Sequence, residues 1–276
     1  MSFRFSRMAL TTLALALAAI ASAEEITTTD GQVYNSSTIR RSRDMIMVKV
    51  SMEGGTSAVE MGLPLARIAK VNFAEPPELA KAITAALKGN ATEVLSLTDD
   101  YVSKQGDLKD VPGSWWLEMA RLRLLALASI GKDSECADLA RQIGAIKSPS
   151  AESLSKAGTL FSPLATSDLN AVALEAKALP RLGGDQGSPL AQLALGKALL
   201  QKKDYPAALR AFLTIKVFYP SVTLLQPPAL AGAADAYMGL KDEKRAAQSY
   251  ADIVSGWPDS PQVPMAKKKT EILAHP

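Results

Sequence analysis

Residues Ser188–Pro220 read SPLAQLALGKALLQKKDYPAALRAFLTIKVFYP, and Gln226–Pro258 read QPPALAGAADAYMGLKDEKRAAQSYADIVSGWP. Laid over one another at an offset of 38 residues, Gly196 meets Ala234, Leu199 meets Tyr237, Ala208 meets Ala246, Phe212 meets Tyr250, Ile215 meets Ile253 and Pro220 meets Pro258. Six coincident positions of matching size and polarity mark an internal repeat, and each copy reads as a helix, a short turn and a second helix. Gly196 on the first helix and Ala208 on the second have little bulk, so their backbones are expected to face each other closely while Phe212 fills the space between hairpins. Pro220 and Pro258 deny the second helix a backbone donor and end it.

Working outward, helical apolar spacing begins at Glu78 and is expected over Glu78–Lys88, Thr92–Lys104, Ser114–Ile130, Ser134–Ile146, Ser150–Leu160, Asp168–Leu179, Pro189–Lys202, Tyr205–Phe218, Ala229–Gly239, Glu243–Ser255 and Pro261–Leu273. Ser188-Pro189, Asp204 ahead of Pro206, Asp242 ahead of Glu243, and Ser260-Pro261 offer capping oxygens or first-turn prolines. Gly89, Gly131 and Gly239 stand where helices should stop. Short links between such helices describe antiparallel hairpins.

Before this region the pattern alternates. Glu25–Thr28, Val33–Arg41, Met45–Val50, Thr56–Glu60 and Ala69–Phe73 read as five short strands, with Asp30-Gly31 and Gly54-Gly55 as tight turns. Five strands with a Pro64-Leu65-Ala66-Arg67 turn before the last suggest a small SH3- or Sm-like barrel. At Glu75-Pro76-Pro77 the strands stop, because proline cannot donate to a ladder. About fifty residues bury little apolar surface, so this module is expected to lean on the helices. The organisation expected is thus residues 1–23, a β module over 24–75, and a helical repeat domain over 76–276 with its best copies at 188–222 and 227–260.

Residues 1–23 read as a secretory signal: Arg4 and Arg7 precede an uncharged run from Met8 to Ile20, closed by Ala21-Ser22-Ala23. Glu24 and Glu25 follow where a lipoprotein would carry cysteine, so a periplasmic or secreted protein without a lipid anchor is expected. Removing Arg4 and Arg7 leaves 29 basic against 28 acidic residues. That balance gives no basic excess for nucleic acid. No later run is apolar enough to span a bilayer. Arg40, Arg41 and Arg43 cluster without interleaved aromatics and read as a solvated strand end.

Catalytic and metal-binding constellations are sparse. His275 is the only histidine and Cys136 the only cysteine, which leaves neither a Ser-His-Asp triad nor a zinc site with nitrogen or sulfur ligands. No cofactor is expected. Ser153-Leu154-Ser155-Lys156 matches Ser-x-x-Lys without its companion elements. Asp99 and Asp100 are adjacent on a helix and diverge by about 100°. Trp115 and Trp116 could stack a sugar but more readily fill a seam between hairpins. Lys267–Lys269 reads as a solvated terminal face, with an anionic envelope surface as its other reading.

The repeat resembles the tetratricopeptide family, whose pattern sets a Leu-Gly pair, an aromatic, an Ala-x3-Phe and a closing Pro within one hairpin. Leu195-Gly196, Ala208, Phe212 and Pro220 match in the first copy; Tyr237, Ala246, Tyr250 and Pro258 match in the second, where Ala233-Ala234 replaces Leu-Gly. The endings Phe218–Ser221 and Gly256–Ser260 narrow the likeness to periplasmic tetratricopeptide proteins of Gram-negative bacteria. Those families include the Tol-Pal-associated cell-division coordinators and the outer-membrane assembly lipoproteins. The latter's lipid-bearing cysteine is missing here, and a β module stands in place of the former's coiled coil.

The resemblance implies a mainly α fold, a tetratricopeptide-like α-solenoid behind the small barrel. It also implies a non-enzymatic adaptor that holds a protein or peptide partner of the cell envelope on the concave face of its first helices. On that register the face would carry Lys197, Gln201, Asp235 and Met238, with Leu193 and Leu200 as apolar contacts. Joint replacement of Lys197 and Asp235 is then expected to weaken capture without lowering the melting midpoint. The rival readings are a β module that binds peptidoglycan or glycan, and a hydrolase with an unrecognised carboxylate pair.

Overall fold

The computed structural model describes residues 24–36, 38–51, 58–166, 168–178 and 188–275. The expected signal segment and the Gly54-Gly55 turn lie outside the described residues. The protein is mostly helical, with two small three-stranded sheets ahead of the helices.

The strands are β1 (Glu24–Thr28), β2 (Val33–Ser36), β3 (Ile39–Ser42), β4 (Met45–Ser51), β5 (Ala58–Pro64) and β6 (Ile68–Asn72). They form antiparallel sheets ordered β2-β1-β6 and β3-β4-β5. Five strands were expected; the run Val33–Arg41 divides, its first part joining one sheet and its second the other. A 3-10 turn at Leu65–Arg67 carries the chain from β5 back to β6. Gly31 takes the left-handed conformation, φ +83°, that the β1–β2 turn needs. Ile26, Ile46, Val48, Leu63, Ile68 and Val71 fill the space between the sheets.

The helices are α1 (Leu79–Leu87), α2 (Ala91–Lys104), α3 (Trp116–Ser129), α4 (Asp133–Ile143), α5 (Pro149–Thr159), α6 (Phe161–Thr166), α7 (Leu169–Ala178), α8 (Ser188–Gln201), α9 (Tyr205–Phe218), α10 (Gln226–Gly239), α11 (Glu243–Gly256) and α12 (Val263–Ala274). Capping oxygens start several of them: Asp204 accepts from the Ala207 N–H at 3.2 Å and Asp242 from the Arg245 N–H at 3.0 Å. Gly89 and Gly131 end α1 and α3 with positive φ, as expected.

Gly239 does not end its helix in that way. The left-handed residue is Lys241, φ +61°, matched in the preceding hairpin by Lys203, φ +60°, 38 positions earlier. Gly239 is small for another reason: a Cβ there would lie 2.3 Å from the Tyr205 ring.

Three helices are buried nearly all round. Every residue of α8 from Ser188 to Gly196 is buried, and most of α3 and α10 is buried too, with Glu118, Arg121 and Arg123 of α3 half-buried. By contrast α9 buries one stripe, Ala208, Ala211, Phe212 and Ile215, and α11 buries Ala246, Ser249, Tyr250 and Ile253. Outer helices thus cover inner ones. Trp116 is wholly buried, its Nε1–H donating to the Val102 carbonyl at 2.9 Å, which fits a seam and not a sugar platform.

The late hairpins are also fastened to the early helices. The Thr223 hydroxyl donates to the Ala86 carbonyl at 2.6 Å, and the Gln262 amide donates to the Ser129 carbonyl at 2.7 Å. Trp257 and Pro227 rest on Gly89, where a Cβ would meet the Trp257 ring at 2.8 Å.

The β module is joined to the helices through the loop between α2 and α3. Val111 enters the β core, the Val71 N–H donates to the Pro112 carbonyl at 2.8 Å, and the Trp115 indole donates to the Phe73 carbonyl at 3.2 Å. Arg41 pairs with Asp110 and Arg40 with Glu60, so two of the three clustered arginines already hold carboxylates.

Candidate functional site

The face expected to bind is made by α8 and α10. Phe212 lies between the two hairpins: a Cβ on Gly196 of α8 would come within 2.5 Å of its ring, and one on Gly232 of α10 within 2.3 Å. The atoms nearest to a Cβ on Gly196 belong to the Phe212 ring. Leu195 and Ala208 belong to the main core and Gly196 is buried beside them in α8, while Ala246 and Tyr250 are buried residues of α11, Tyr250 packing with α10 and α12. Tyr237 is half-buried under the Arg245 guanidinium, 5.2 Å from its ring centre. Pro220 and Pro258 follow the ends of α9 and α11, as expected.

Four of the six proposed contact residues are not free for a partner or only partly so. Leu193 is 1% exposed and belongs to the main core. Lys197 reaches Asp133 at the start of α4, Nζ to Oδ1 2.6 Å, and lies 5.2 Å from the centre of the Phe161 ring on α6. Asp235 accepts a hydrogen bond at 2.6 Å from the hydroxyl of the buried Tyr250. Leu200 is half-buried. Gln201 and Met238 are exposed, Met238 by 36%.

The chain's own helices therefore take up much of the face at α8, with α4 and α6 reaching Lys197. One sign of this was present in the sequence: no acid stands three or four places from Lys197, so a partly enclosed lysine there needs a partner from elsewhere. Asp133 and Phe161 supply it, and neither was singled out by the repeat.

The tyrosine partner changes an expectation as well. Burial and then the bond to Asp235 push the Tyr250 phenol well above its ordinary range, so it stays protonated and donating. Asp235→Ala leaves that buried hydroxyl without its acceptor, and a stability loss of about 1–3 kcal/mol is expected in a denaturant melt. An unchanged midpoint would show that Asp235 is a free surface group after all. The expectation of a melting-neutral double replacement at Lys197 and Asp235 gives way accordingly.

No protein-family model and no curated protein sequence matches the chain. A cleft of about 290 Å³ between α2, α3 and α4 is lined by Asp99, Arg123, Leu127, Glu135 and Asp138. Each of its carboxylates holds a base: Asp99 pairs with Arg123 at 2.7 Å, Glu135 with Lys132 at 2.8 Å, and Asp138 with Arg141. Burial pushes the Cys136 thiol upward and keeps it from acting as a thiolate nucleophile. No group of three or more His, Cys, Asp or Glu suited to a metal occurs among the described residues, and no helix there is long and apolar enough to cross a membrane.

Proposed function

We propose that this protein is an exported, non-catalytic scaffold whose tetratricopeptide-like hairpins hold a protein or peptide partner of the cell envelope. The binding surface is the rim where α8 and α10 run out: Leu200, Gln201 and Met238. One observation carries this reading. Leu200 and Met238 are equivalent positions, 38 residues apart on the first helices of successive hairpins, and both reach the surface where most of those helices is enclosed. A repeat that brings the same apolar position to the surface twice offers a short, regular strip to a partner.

On this reading the hairpins form a compact solenoid whose inner face is partly filled by α4–α6. The two sheets close a small SH3- or Sm-like barrel, with the division of β2 from β3 as the corner at which a strand changes sheets. Residues 1–23 direct export and are removed.

Gln201→Arg combined with Met238→Glu is expected to lower partner capture from envelope extracts at least about tenfold, with stability shifted by no more than about 0.5 kcal/mol, since both side chains are exposed. Val33→Glu on β2, also exposed, is expected to leave capture intact. Loss of capture with the Val33 variant alone would move the site to the β module and favour the glycan-binding reading.

A further inference from the structure

Helix α12 carries an exposed stripe of mixed apolar and basic character. α12 packs inward through Val263, Ala266, Thr270 and Leu273, which are buried or half-buried. At about 100° per residue, Met265, Lys268, Lys269 and Ile272 fall within an arc of roughly 100° on its outward side. Met265 is 37% and Ile272 56% exposed, and both lysines are exposed. None of Lys267, Lys268 and Lys269 has an ion-pair partner among the described residues.

A helix face left to solvent is ordinarily polar. Here two large apolar side chains bracket two unpaired lysines. At the equivalent places in α10, 38 residues earlier, stand Pro227, Leu230, Ala231 and Ala234, all buried. The repeat therefore uses this helix position for packing elsewhere, and α12 has given it charge and outward apolar reach.

We propose that the outward stripe of α12 docks on an anionic phospholipid surface, with Met265 and Ile272 entering the headgroup layer and Lys268 and Lys269 reaching the phosphates. The charge selects an anionic partner, and the alternation of lysine with apolar side chains suits a headgroup boundary, where long lysine stems lie along apolar surface with their ammonium groups outward. The groove beside α12, lined by Ala251, Val254, Ser255, Lys267, Thr270 and Glu271, takes in none of the four stripe residues. This inference does not depend on the rim of α8 and α10.

The test uses the full mature chain and sedimentation with two vesicle populations, phosphatidylcholine alone and phosphatidylcholine with about 30 mol % phosphatidylglycerol. Partition onto the anionic vesicles is expected to exceed that onto the neutral ones at least about tenfold and to fall as salt shortens the Debye length. Lys268→Ala with Lys269→Ala is expected to lower it roughly 25-fold, about fivefold for each lysine. Met265→Ser with Ile272→Ser is expected to lower it at least about tenfold, from lost apolar burial. All four side chains are exposed, so equal melting midpoints keep the comparison clean. Equal partition onto both vesicle types, or lysine variants that bind like the parent, would overturn the proposal. So would a lysine-dependent binding that the Met265 and Ile272 changes leave untouched, which would show charge attraction alone, without entry of the stripe into the headgroup layer.

Discussion

Phe212→Ala is expected to lower stability by about 3–5 kcal/mol, because the ring fills a space that two hairpins share and nothing else occupies. Its two walls are glycines, Gly196 and Gly232, on helices separated by α9. This makes a second result predictable. Gly232→Ala should gain up to about 1 kcal/mol of helix propensity, yet its Cβ would stand 2.3 Å from the ring, and the ring cannot retreat because Gly196 closes the other side. Overpacking by about 1–3 kcal/mol therefore wins, and the variant is expected to be less stable. With Phe212→Ala already present the obstruction is gone, and the same Gly232→Ala change should become neutral or stabilising. Denaturant melts of the four proteins form the cycle. Strict additivity would mean that Phe212 does not stand between the glycines.

Gly113→Ala should separate the β module from the helices. Gly113 has φ +93°, and a Cβ there would come 2.0 Å from the Val71 carbonyl oxygen, a backbone atom that cannot swing aside. The backbone conformation alone costs an alanine about 1–2 kcal/mol. Relief of the clash would pull Pro112 from the Val71 N–H and Val111 from the β core. A module of some fifty residues has little further stability to draw on. Limited proteolysis within residues 24–72 is expected to accelerate at least about tenfold, roughly 1.4 kcal/mol of local opening, while the helices stay protected. Cleavage at the parent rate would show that the loop can be displaced without loss.

Much of the fold was legible because the helices are long enough to show their period. Tyr205–Phe218 is observed as expected, since Asp204 caps it and Pro220 closes it. α6 was missed: six residues give less than two turns, too few for a pattern. The start of α10 was set too late, at Ala229, because Pro227 and Pro228 look like breakers although a first-turn proline loses no intrahelical bond. In Val33–Arg41 alternation continues across the point where the strand changes sheets, so nothing in the pattern announces the division.

The site was less legible. The repeat register placed Leu193, Lys197 and Asp235 on the inner side of the first helices, but register carries no information about what the rest of the chain lays against that side. Asp133 stands 64 residues from Lys197. The Tyr250–Asp235 bond is nearer, yet it depends on how α10 and α11 are rotated, which apolar spacing fixes only to within a helix face.

The most direct test of the scaffold reading is site-specific photocrosslinking in the native envelope, with the reactive group placed in turn at Gln201, at Met238 and at Val33. The rim of α8 and α10 is expected to trap one and the same protein from Gln201 and from Met238, with Val33 giving none of it. A partner trapped from Val33 alone, or wall glycan recovered there with nothing at the rim, would contradict the assignment of binding to the helical hairpins.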